Sequence, residues 1–242
     1  MSSRNASCAI VGAGDYIGAA VARKFAAEGY AVHLGRRNGD QLAPLVAEIE
    51  AAGGTAFGHT LDAREEDQVV RFFEAAQAQA PLEVAVFNVG GNVHAPILET
   101  TERVFRKVWL MAAYAGFLSG REAARHLVPQ GRGSIFFTGA TASMRGGSGF
   151  AAFASAKAGL RALAQSMARE LGPQGVHVAH LVVDAGVDTA WVHQRRAAAG
   201  KPVAPGDLLQ PASIAETYWM LHNQPRDAWT FELDLRPHKE PW

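Results

Sequence analysis

Three glycines near the start of the chain are spaced for phosphate chemistry. They lie in Gly12-Ala13-Gly14-Asp15-Tyr16-Ile17-Gly18, between a short apolar run and a segment of helical periodicity. Glycine at such positions permits a tight turn, close approach of backbone to a pyrophosphate, and close packing of helix on strand. The start of the following helix, at Tyr16 and Ile17, offers free N–H groups and the positive end of its dipole to phosphate oxygens. The strand–turn–helix setting distinguishes this loop from an ordinary glycine-rich turn. About 20 residues further on, a site selective for NAD carries an acid for the ribose 2′-hydroxyl. Gly35 stands there instead, followed by Arg36 and Arg37. Two guanidiniums suit a 2′-phosphate through forked, charge-assisted hydrogen bonds. NADP(H) is therefore expected to be preferred, with NAD(H) as the second choice; the same pair also reads as a solvated helix start. Asp62 fits two roles, a hydrogen-bond partner for adenine or the N-cap of a helix starting near Glu65.

The elements that must hold these residues alternate. Short apolar runs at Ser7–Val11, Ala31–Leu34, Ala56–Leu61, Glu83–Phe87, Ser134–Thr138, Val176–Val183 and Trp229–Leu235 read as strands. Helical spacing covers Tyr16–Glu28, Leu42–Ala52, Glu65–Ala80, Phe150–Leu171 and Pro211–Leu221, and Thr100–Val128 holds one or two helices. Glycine and proline punctuate the joints, at Gly29, Gly53-Gly54, Pro81, Pro129 and Gly172-Pro173. Thr189–Pro205 reads as irregular, with room for a short helix. Seven strands separated by helices imply an α/β chain with a parallel sheet covered on both faces. Ligands in such sheets bind at the carboxyl ends of the strands, near the point where strand order reverses.

Composition narrows the function classes. The chain has 242 residues, with 23 Lys+Arg against 23 Asp+Glu, so its formal charge is zero. That balance gives no electrostatic footprint for nucleic acid or an anionic membrane. Hydrophobic residues make up 48%, enough for a sizeable core. The single cysteine, Cys8, excludes an intramolecular disulfide and reads as a small buried hydrophobe. No apolar run approaches the roughly 18–20 residues of a membrane span, and the run after Met1-Ser-Ser-Arg-Asn is too short for a signal h-region. The expected location is the cytoplasm. His177 and His180 are three apart on a strand and so face opposite ways. His94, His193 and His222 lack ligand spacing, so no metal is expected.

The order of motifs resembles the short-chain dehydrogenase/reductase family over nearly the whole chain. The likeness rests on the loop Gly12–Gly18, Asp62, Asn88-Val89-Gly90-Gly91, Phe153-Ala154-Ser155-Ala156-Lys157 and Gly186-Val187-Asp188-Thr189. It implies one Rossmann-like domain over 1–242, a three-layer sandwich around the seven-stranded parallel sheet. It also implies a nicotinamide cofactor, a small-molecule substrate, and a homodimer or homotetramer built on the two long central helices. Asn88, Gly90, Lys157, Gly186 and Thr189 join the cofactor site by this likeness. Val187–Pro211 becomes a substrate lid, lined by Trp191 and Val192, with Arg195 and Arg196 either meeting an acidic group or forming a solvated turn.

The departures from the family pattern concern chemistry. Tyr16 occupies the usual middle glycine of the loop, and Ala185-Gly186 replaces Pro-Gly. The family's working Asn, Ser, Tyr and Lys correspond here to Ala113, Ala140, Phe153 and Lys157. A phenol beside Lys⁺ gives its proton to a developing alkoxide; phenylalanine has none to give. Residues 153 and 157 still share a helix face. Thr141 and Ser143, on the loop after the fifth strand, are the candidate replacements; Ser148, Tyr114 and Arg145 are more distant ones. The stretch Gly147–Gly159 is similar to the 2,4-dienoyl-CoA reductases, which also lack tyrosine at that motif position and take theirs from the preceding loop, where Ser143 stands here. The expected function is hydride transfer to a carbonyl or conjugated alkene with an altered proton donor. The alternative is a nucleotide-binding protein without turnover, acting as a sensor or an oligomer partner.

Overall fold

The computed structural model describes residues 4–240. The first three residues of the N-terminal lead-in, and the last two of the 1–242 assignment, lie outside the described residues. Seven strands form one sheet: β1 Ser7–Val11, β2 Ala31–Arg36, β3 Thr55–Thr60, β4 Leu82–Phe87, β5 Ser134–Ala140, β6 His177–Val183 and β7 Glu232–Leu235. Their order is β3-β2-β1-β4-β5-β6-β7, every pairing is parallel, and β1 pairs with β2 on one side and β4 on the other. Strand order reverses between β1 and β4, so a crevice opens there at the carboxyl edge.

The strands read as apolar runs because both faces are covered. β1, β4 and β6 are buried along almost their whole length. On one face α1 (Ile17–Ala27), α2 (Ala43–Ala51) and α9 (Pro211–His222) pack over Ile10, Val32, Leu34 and Phe136. On the other, α3 (Glu66–Gln79), α5 (Ala115–Leu127) and α7 (Ala151–Leu171) pack over Ala9, Val11, Phe87 and Phe137. This is the three-layer α/β architecture. Cys8 is fully buried, which pushes its thiol pKa up and leaves it an inert packing group.

The central helical stretch is in two parts. α4 (Glu102–Trp109) and α5 are joined by a π-helical turn, Leu110–Tyr114, which buries Ala112 and Ala113. After β5 a four-residue helix α6 (Thr141–Met144) forms, and after β6 the segment read as irregular contains α8 (Ala190–Ala198). Thr189 caps α8 by accepting the Val192 N–H at 3.1 Å. Periodicity alone does not show α8, because none of its residues is buried.

Candidate cofactor and substrate cleft

The glycine loop behaves as its three residues require. Gly12 has φ +89°, a left-handed conformation, and an added Cβ would meet the Asn88 carbonyl oxygen at 2.8 Å. At Gly18 an added Cβ would meet Ala13 Cα and the Gly12 carbonyl oxygen, each at 2.7 Å, so this glycine lets α1 lie against the turn. A Cβ on Gly14 would meet nothing within 4 Å; that residue faces the open cleft. Asn88 Nδ2 donates to the Gly12 carbonyl at 3.1 Å and ties the ends of β1 and β4 together. Tyr16 stands at the N-cap of α1, and its hydroxyl accepts the Ala190 N–H at 3.1 Å, linking the loop to the first turn of α8.

Two adjoining cavities follow the carboxyl edge of the sheet. The first, about 600 Å³, runs past Gly35, Arg36, Arg37, Asn38, Asp62 and Arg64. Arg36 is held by Asp15, Nη1 to Oδ1 at 2.7 Å, while Arg37 is exposed. Asp62 grips Arg64, with Nε at 2.9 Å, and this hydrogen bond holds its carboxyl below the usual carboxylate range. Of its two expected roles, the helix cap is overturned: Glu65 stands at the N-cap of α3, and Asp62 lies outside the helix.

The second cavity, about 750 Å³, runs from the glycine loop past Asn88, Gly90 and Asn92 to Thr138, Thr141, Arg145, Phe150, Phe153, Lys157, Val187 and Thr189. Tyr16 and Ile17 line it; Gly186 does not. An added Cβ on Gly186 would meet Leu208 at 2.9 Å, so that residue serves the base of the lid. Val187 pairs with Leu209 as an isolated parallel bridge at the same place.

Lys157 is 4% exposed, so it is no solvent-facing helix lysine. Its Nζ donates to the Thr138 carbonyl at 2.8 Å and the Val89 carbonyl at 3.3 Å. Burial among neutral groups lowers its pKa to about 8. Phe153, one turn earlier on α7, packs with Val108, Ala112, Ala152 and Ala156. The structure brings Thr141 to the cleft but not Ser143. Ser143 is buried, and its hydroxyl accepts the Ala140 N–H at 3.1 Å, closing the turn between β5 and α6. Tyr114 lies on the outer surface, its ring tilted against that of Phe117, and does not line the cleft.

One charged cluster was not read from the sequence. Asp184, the residue after β6, is buried and holds the Thr141 hydroxyl and Arg236, with Arg145 at 3.5 Å. Its signal was an acid ending an apolar run at the carboxyl edge of the sheet, where a charge needs partners. Among the described residues no group of three or more His, Cys, Asp or Glu is arranged to hold a metal ion. No helix among them is long and apolar enough to cross a membrane.

Comparison with known proteins agrees with this geometry. The short chain dehydrogenase family model matches residues 7–200. A solved short-chain dehydrogenase from Rhodopseudomonas palustris is 60% identical, with a TM-score of 0.85 over 97% of this chain and 100% of that one. A metagenomic short-chain oxidoreductase solved in complex with NADP is 25% identical, with a TM-score of 0.83 over 98% and 99% of the two chains. The 3-oxoacyl-(acyl-carrier-protein) reductase MabA of Mycobacterium avium is 32% identical over 184 residues, 76% of this chain and 68% of that protein.

Proposed function

The chain belongs to the short-chain dehydrogenase family, and from that premise we propose that it is an NADP(H)-dependent oxidoreductase with an altered proton-donating site. One observation carries the proposal: a continuous cleft joins a glycine loop and two arginines at one end to a buried, apolar-walled lysine site at the other. The residues fit a dinucleotide. Gly14 leaves open space where a pyrophosphate meets the start of α1, and Gly12 and Gly18 admit no side chain. Lys157 would hold the nicotinamide ribose, with Asn88, Gly90 and Thr189 around it, and Asp62 would face the adenine. The NADP in the metagenomic neighbour supports this choice of cofactor. When bound, the cofactor supplies a hydride for a carbonyl or a conjugated alkene.

What the chain contributes is placement and proton control. Phe153 offers no proton and makes the wall apolar. Ser143 is buried in the turn and does not line the cleft, and the Thr141 hydrogen is committed to Asp184. Lys157 is then the group that holds a proton beside the substrate. It has three donors and two carbonyl partners, and its pKa of about 8 lies near the working range of a general acid. A conjugated acceptor needs even less, because its enolate is delocalised and oxyanion stabilisation precedes carbon protonation. The second reading, a nucleotide-binding protein without turnover, is favoured by Ala113, Ala140 and Phe153, which place methyl or phenyl groups where the family has polar ones.

We infer that copies of the chain associate through the outer face of α4, the π-helical turn and α5. Phe105, Trp109, Tyr114 and Phe117 are each about 40% exposed there. The cofactor assignment is tested by fluorescence titration with both nicotinamide cofactors. Arg36→Ala should weaken NADPH about tenfold or more, the loss of one charge-assisted pair, and leave NADH nearly unchanged. Equal losses would remove the 2′-phosphate argument.

A further inference from the structure

Asp184 is a buried carboxylate at the cleft edge, and its partners define what the cleft can recognise. Oδ2 takes the guanidinium of Arg236, itself 9% exposed, which offsets the buried charge. Asp234 lies 3.8 Å from the same guanidinium. Oδ1 takes the Thr141 hydroxyl and lies 3.5 Å from Nη2 of Arg145. Arg145 is 58% exposed and lines the cleft, so it is accessible to a ligand there.

A hydroxyl has one hydrogen and two acceptor sites. Thr141 gives its hydrogen to Asp184 and presents acceptor capacity alone to the cleft. A bare carbonyl there meets lone pair against lone pair, whereas a ligand hydroxyl donates. The planar guanidinium of Arg145 matches a carboxylate. Thr141 and Arg145 converge on one oxygen atom, so a single small molecule spans both. Phe150, Phe153 and Val187 make the surrounding wall apolar.

We propose that Thr141 and Arg145, both anchored on Asp184, select a hydroxy monocarboxylate with an apolar body. The hydroxyl donates to Thr141 Oγ1 and the carboxylate forks onto Arg145. This rests on reading the cleft as the substrate site of an oxidoreductase.

The test is calorimetry on the protein saturated with NADPH. The probes are 2- and 3-hydroxyoctanoate, octanoate, and the methyl esters of the two hydroxy acids. At least one hydroxy acid should bind about tenfold or more tightly than octanoate and than its own ester. Arg145→Met should erase the acid–ester difference, and Thr141→Val the hydroxy–deoxy difference. Arg145 is exposed, so its variant keeps the test intact if Thr141→Val, which removes a partner of buried Asp184, fails to fold. Failure of the wild type to bind any probe, or its binding all of them equally, overturns the proposal while NADPH binding leaves the oxidoreductase reading standing. Absence of NADPH binding by the wild type overturns both.

Discussion

In the proposed chemistry Lys157 is the proton-holding group. Its ammonium is buried with two main-chain carbonyls for partners, and desolvation brings its pKa down to about 8 from 10.5. Below about pH 8 both folded and unfolded states hold the proton, and the full desolvation penalty applies. Between about 8 and 10.5 the unfolded chain binds more protons than the folded one, so stability rises with pH. The slope is at most about 1.4 kcal/mol per pH unit. Chemical denaturation of the cofactor-free protein should show this rise, and Lys157→Met should remove it while being the more stable of the two at pH 7. A variant with the same pH profile as wild type would mean that the ammonium is solvated. At this scale the sequence was most informative where a motif fixed spacing: Lys157 and Phe153 share the cleft as their four-residue separation requires. It was least informative where partners come from distant strands. Asp184, Thr141 and Arg236 meet only because β5, β6 and β7 lie side by side.

Among the elements, the junction of β1 and α1 has the least tolerance. Gly18 faces backbone, which cannot move aside as a flexible side chain can. Gly18→Ala should cost about 1–3 kcal/mol or more as overpacking, read as a fall of several degrees in Tm, and it should weaken NADPH binding as well. An unchanged Tm would contradict the close approach. The strands and most helices were legible because burial on both faces leaves apolar runs, and on one face leaves a stripe. The π turn was not. Trp109 and Tyr114 are five apart, which breaks the spacing of an α-helix, and the extra residue of the turn absorbs the difference. Thr189–Pro205 leaves room for a short helix, but the bounds of α8 are not legible, since none of its residues is buried and its start is set by the Thr189 cap and the Tyr16 hydroxyl.

For the whole molecule, the seven parallel strands form one sheet with helices packed on both faces. The architecture was legible from alternation and punctuation. The substrate was not, because its determinants are a few side chains gathered from separate loops. The exposed aromatic face on α4 and α5 is the surface expected to join copies of the chain. Light scattering should give a dimer or tetramer, and Phe105→Glu with Phe117→Glu should shift it towards smaller species. A wild-type monomer at micromolar concentration would remove that assignment.

Turnover without the phenol is measured directly as NADPH oxidation by the purified protein against ketones, quinones, enones and enoyl thioesters, with Lys157→Ala alongside. Turnover is expected on at least one class, lost by about 10²-fold or more in the variant. Intact NADPH binding with no turnover on any class would contradict the proposed oxidoreductase and leave a nucleotide-binding protein in its place.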